Sequence, residues 1–119
     1  MKFVGKREAP MTLSKQRKLL GNHLNFAAAE AYKLLRTNLM FALPNNNECR
    51  VIGITSALRG EGKSTTSVNL AYTIAQTGER VLMIEADMRL PNVAQRLALR
   101  PTLGLSDLLA GLCTREEAI

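Results

Sequence analysis

Four apolar stretches punctuate the chain, and their spacing separates helices from strands. Phe26, Leu34, Leu35 and Leu39 recur near helical spacing among strong helix formers, which predicts a helix over 25–41. Pro44 and the polar residues Asn45, Asn46, Asn47 and Glu48 end it, because the residue before proline is driven out of helical space and asparagine favours turns. Val51, Ile52, Gly53, Ile54 and Thr55 form a β-branched run with no helical period, as in a strand covered on both faces of a parallel sheet. Over 64–77, Val68, Leu70, Ala71, Ile74 and Ala75 mark a helix face, and Gly78 supplies its left-handed end. Residues 81–84, Val-Leu-Met-Ile, read as a second buried strand. Strand, glycine turn, helix and strand over 51–86 make a right-handed βαβ crossover, so the fold class is α/β.

Beyond it, Leu90-Pro91 breaks the chain, 93–99 forms a short helix, and Ser106 is the N-cap of another ending at Gly111. Thr114 and Glu117 have the capping-box spacing that opens a further helix near the end of the sequence. Two clear strands fall short of the several that a doubly wound sheet uses to cover its helices, so the expectation is an incomplete domain.

At 119 residues the chain holds one domain at most, and with 46% hydrophobic and 22% charged residues it has an ordinary globular composition. Charge is uneven. Residues 1–24 carry Lys2, Lys6, Arg7, Lys15, Arg17 and Lys18 against only Glu8, which places a net +5 of the total +6 in this basic arm. Such an arm attracts anionic lipid or an acidic partner over about a Debye length. No aromatic residue lies between Val4 and Asn25, so the stacking platforms of a single-strand nucleic-acid binder are missing, and no nucleic-acid partner is expected. No apolar run nears the ~20 residues of a membrane span, and the start lacks a signal peptide's apolar core, so the expected location is cytoplasmic. Cys49 and Cys113 lack metal or redox spacing and fit reduced thiols.

The sharpest chemical signal is 57–65, Ala-Leu-Arg-Gly-Glu-Gly-Lys-Ser-Thr, which matches the P-loop pattern with alanine in place of the first glycine. Gly60 and Gly62 let backbone N–H groups turn inward as an anion nest, and the following helix adds the partial positive charge of its N-terminus. Arg59, Gly60, Glu61, Gly62, Lys63, Ser64 and Thr65 are therefore the expected cradle for a nucleoside triphosphate, MgATP above all. Lys63 would reach the β- and γ-phosphates, Ser64 would ligate Mg²⁺, and Thr65 would assist at the α-phosphate. A second signal is Glu85-Ala86-Asp87, where a buried strand delivers two carboxylates at i and i+2 to its C-terminal end. Ligands of an open parallel sheet bind at that end, so Glu85 and Asp87 are candidate metal and catalytic groups beside Lys63 and Ser64.

Three stretches together resemble the bacterial tyrosine kinases that regulate capsular and exopolysaccharide synthesis. They are residues 30–39 (Glu-Ala-Tyr-Lys-Leu-Leu-Arg-Thr-Asn-Leu), the Gly-Glu-Gly-Lys-Ser-Thr loop, and the Glu-x-Asp-x-Arg-x-Pro stretch of 85–91, with 104–109 as weaker support. The resemblance implies a P-loop kinase domain with a doubly wound parallel sheet in three αβα layers, occupying 25–119 and stopping before the Walker B strand and tyrosine tail. It implies an ATP- and Mg²⁺-dependent tyrosine autokinase of polysaccharide assembly. It also implies a membrane co-polymerase as activating partner, homo-oligomeric rings, and a place at the inner face of the plasma membrane through that partner or the basic arm.

Carried over, Lys63 is the phosphate lysine, Ser64 the magnesium ligand, and Glu85 and Asp87 the second Walker-type motif. Glu85 stands where the family usually has aspartate, and Arg59 where it often has proline. Glu30, Lys33 and Arg36 match a Glu-xx-Arg-xx-Arg subunit contact, with lysine at its centre; residues three apart on a helix face also suit a simple ion pair. Tyr32 and Tyr72 fall in predicted helices. Two other readings stand beside the kinase. One is a positioning ATPase of the Min or Par type, which typically has a second lysine where this chain has Leu58. The other is an inactive module that binds a membrane partner.

Overall fold

The computed structural model describes residues 20–44, 49–100 and 103–119. Most of the basic arm and the turn expected at 45–48 lie outside the described residues. Helix α1, Phe26–Ala42, begins where Asn25 caps it, its side chain accepting from the Ala28 amide at 2.8 Å. It stops at Leu43, before Pro44, as the proline predicts. None of its residues is buried, and Phe26 and Phe41 are 82% and 87% exposed. What holds α1 is its contact with the next helix, where Arg36 Nη1 donates to the Thr73 carbonyl at 2.8 Å.

Helix α2, Lys63–Ala75, starts one residue earlier than the pattern suggested and buries Val68, Asn69, Leu70 and Thr73. Its exit is the expected glycine, Gly78 at φ +90°, whose amide donates to the Ala75 carbonyl at 3.0 Å. Ahead of α1, a 3₁₀ turn at Gly21–His23 crosses α2. Its Gly21 amide donates to Asn69 Oδ1 at 2.8 Å, and Asn69 is fully buried. Leu20, 5% exposed, packs with Val68 and Val93 to form the small core, with Met83 against it.

The two predicted strands are not paired. Among the described residues no strand ladder forms, and runs 51–55 and 81–84 are not strands. Both runs instead line a cavity of about 690 Å³, floored by Leu70, Ala71 and Ile74 of α2. Paired strands lie about 4.8 Å apart and exchange ladder bonds, and no such bonds join these two runs. The helical half of the βαβ expectation is therefore present, without the sheet it was expected to cover. Val51 is 90% exposed and Ile84 60% exposed in consequence.

Helix α3, Val93–Arg96, is shorter than the 93–99 of the sequence pattern. Ala98 turns left-handed at φ +59°, and the Ala98 and Leu99 amides return to the carbonyls of Gln95 and Ala94 at 3.2 and 2.9 Å. That is a Schellman ending with alanine where glycine is favoured. Helix α4, Leu105–Leu109, begins ahead of Ser106. Gly104 holds the N-cap position and its amide donates to Asp107 Oδ2 at 2.9 Å, so the aspartate's reach back, not the serine, sets the start. Its end at Gly111, φ +71°, is as expected. Helix α5, Arg115–Ala118, opens at Thr114, whose amide donates to Glu117 Oε2 at 2.8 Å, the reciprocal contact its spacing predicts.

Candidate functional site

The glycine turn leads directly into α2. Gly60 and Gly62 adopt φ +86° and +93°, conformations that L side chains rarely enter, and so reverse the chain into the helix. The first intrahelical bond is Thr66 N–H to the Gly62 carbonyl at 2.8 Å, so the amides of Lys63, Ser64 and Thr65 form the helix's open N-terminal turn. This is an anion cradle of the kind a phosphate chain fits. Lys63 Nζ is held at the loop by Ser56 Oγ at 2.8 Å and the Leu58 carbonyl at 3.3 Å. Glu61 closes the loop from the other side, accepting the Leu58 amide at 3.0 Å. That backbone bond, with help from Ser56 and the charge of Lys63, holds the Glu61 carboxyl below its ordinary range. Arg59 is exposed at the tip of the turn.

Lys63, Ser64, Glu85 and Asp87 all line the cavity that the two apolar runs also line. The two carboxylates are employed differently. Glu85 is tied to the start of α3: Oε1 accepts from the Asn92 amide at 2.8 Å, and its two oxygens share the Val93 amide at 3.2 and 3.1 Å. It thus satisfies amide groups that α3 leaves open at its N-terminus. Asp87 is more exposed and among the described residues accepts only the nearby Leu90 amide, at 3.1 Å. Ser64 and Asp87 supply the hard oxygens that magnesium prefers, and Mg²⁺ commonly takes only one or two carboxylates beside substrate phosphates. No cluster of three or more His, Cys, Asp or Glu residues suited to a metal occurs among the described residues.

The three predicted subunit-contact residues part company. Glu30 and Lys33 form an ion pair with each other at 2.8 Å, about half exposed, whereas Arg36 turns inward to the Thr73 carbonyl. Two contributors escaped the sequence reading. Ser56 anchors Lys63 from just outside the motif, and Arg96 Nη1 reaches Thr65 Oγ1 at 3.2 Å from 31 residues away. The first was findable as a hydroxyl flanking the loop, while the second had no sequence signal. No described helix is long and apolar enough to cross a membrane.

The family described as "AAA domain" matches residues 49–116. The chain is 43% identical over 91 residues to tyrosine-protein kinase YwqD of Bacillus subtilis, covering 76% of this chain and 38% of that protein. It is 42% identical over 114 residues to tyrosine-protein kinase wzc of Salmonella typhi, covering 88% and 15%. Against tyrosine-protein kinase CpsD of Streptococcus agalactiae it is 39% identical over 83 residues, covering 69% and 35%. The chain spans 15% to 38% of the length of these curated relatives. No solved structure matches it.

Proposed function

Because the chain belongs to the AAA-domain family and is similar over most of its length to the P-loop part of bacterial tyrosine kinases, we propose that it binds MgATP as the nucleotide-binding part of such a kinase. The observation that carries the reading is the convergence of Lys63, Ser64 and Asp87 on one cavity at the mouth of a glycine turn that opens a helix. Lys63 neutralises the terminal phosphates, the amides of 63–65 hold the phosphate chain, and Ser64 with Asp87 positions the metal. Magnesium, held by Ser64 and Asp87, would neutralise charge on the phosphates. Glu85 serves this site through α3: its carboxylate fixes the segment that follows Asp87 and leaves the metal to its neighbour.

The process served is capsular or exopolysaccharide assembly at the inner face of the plasma membrane, with a membrane co-polymerase as activating partner and homo-oligomers as the working form. Support comes from relatives named as tyrosine-protein kinases and from one named as the succinoglycan biosynthesis transport protein ExoP of Rhizobium meliloti, 45% identical over 65 residues. Tyr32 and Tyr72 are both half-buried on helices, so the reading concerns ATP binding ahead of any transfer to these two hydroxyls. Leu58, whose side chain is 69% exposed, occupies the place of a positioning ATPase's second lysine and disfavours that reading.

Calorimetric titration of the full chain with MgATP and MgADP, beside Lys63→Ala, tests this. Saturable binding that needs magnesium and is lost in the variant is the expected result. A folded chain that takes up neither nucleotide would overturn it and favour a module that only docks a partner.

A further inference from the structure

The contact between Arg96 and Thr65 joins two segments whose placement is otherwise fixed. Arg96 occupies the last turn of α3. That helix is pinned at its start by Glu85, which accepts the Asn92 and Val93 amides, and by Val93, 8% exposed in the core beside Leu20 and Val68. Its other end is fixed by the left-handed turn at Ala98. So constrained, α3 sends the Arg96 guanidinium across to the hydroxyl of Thr65, in the open first turn of α2.

One N–H of the guanidinium is engaged there at 3.2 Å, and the group carries five donors in a planar fork. A fixed cation beside the amide turn at 63–65 adds a full charge to the partial charges already there, and its fork matches phosphate oxygens bidentately. The geometry points to Arg96 as a further phosphate-binding residue, contacting the α-phosphate of the nucleotide at the level of Thr65. This rests on the nucleotide reading above. It gives Glu85 a definite task, since the carboxylate that caps α3 also sets the reach of Arg96.

The test uses the full chain and four probes: MgATP, MgADP, and the two diastereomers of ADP carrying sulfur at a non-bridging α-phosphate oxygen. Arg96→Ala is expected to weaken ATP and ADP by the same factor, about tenfold or more, because both share the contacted phosphate. Wild type is expected to discriminate between the diastereomers, and Arg96→Ala to lose that discrimination; Arg96→Lys keeps the charge and loses the fork, and should also lose it. A purely structural Arg96 would leave the preference between diastereomers unchanged in every variant that still binds, and that result overturns the inference. Should Arg96→Ala fail to fold, the diastereomer preference of Arg96→Lys decides in the same way. A folded wild type that binds neither ATP nor ADP removes the nucleotide reading itself, a different outcome from wild-type binding that Arg96→Ala leaves intact.

Discussion

Replacing Asn69 by alanine tests the joint that fastens the 3₁₀ turn to the P-loop helix. Asn69 has no exposed surface, and its Oδ1 receives the Gly21 amide at 2.8 Å. Truncation strips that amide of its acceptor in a part-buried setting, which costs about 1–3 kcal/mol. Two limits follow. If the turn stays in place, the unsatisfied amide contributes about 2 kcal/mol to the loss. If the turn lifts away, Leu20 leaves the core with it, and exposing that side chain adds about 1.5–3 kcal/mol. Urea titration followed by far-ultraviolet circular dichroism measures the total, and exchange of the Gly21 amide distinguishes the two cases. Coupling to Leu20→Ala gives a second check: in the lifting case the double variant loses clearly less than the two singles added. A loss under about 0.5 kcal/mol, with the Gly21 amide no less protected, would refute the claim that Asn69 is the fastening.

Ala98→Gly should stabilise the chain by about 0.5–1 kcal/mol, because relief of the left-handed strain exceeds the added freedom of the unfolded glycine; an unchanged or lower urea midpoint would contradict it. The Glu61 carboxyl is held low by the Leu58 amide, so its contribution to loop closure is present above the unfolded pKa and is lost as pH falls through the depressed folded one. The Leu58 amide resonance should accordingly titrate with a midpoint below the ordinary glutamate value of about 4.3, and Glu61→Gln should abolish the step; a midpoint at or above that value counts against the contact. Cys113 is half-buried, and that burial, helped by the charges of Asp107 and Glu117, pushes its thiol pKa up, whereas Cys49 is exposed. Iodoacetamide near neutral pH should alkylate Cys49 first, and faster labelling of Cys113 would show that α4 and α5 neither bury the thiol nor hold those carboxylates beside it.

What the sequence disclosed follows from how local each feature is. The P-loop is contiguous, so its glycines, lysine and helix start were readable together, and the structure places Lys63 and Ser64 on the cavity they were expected to share with Asp87. Helix ends were nearly as legible, since Gly78, Gly111 and Thr114 act on neighbours a few residues away. Ser106 misled because a serine ahead of an apolar pair looks like a cap, while Asp107 reaching back to Gly104 was the stronger local bond. Strand pairing depends on a partner that a run's own composition does not specify, so 51–55 and 81–84 announced themselves as apolar without announcing a ladder. Glu85 was read from its spacing to Asp87, but its oxygens are committed to amides seven and eight residues onward.

The runs beside the cavity also determine how the chain behaves in a crowded solution. Val51, Leu82 and Ile84 are 90%, 58% and 60% exposed, and they sit in short, uncharged, β-prone stretches. Segments of that kind recruit like segments from other molecules, the chemistry by which open sheet edges grow into aggregates. Storage life and yield should thus fall with concentration rather than with temperature alone. A charged substitution on the outward side of either run would extend the working range without touching the glycine turn.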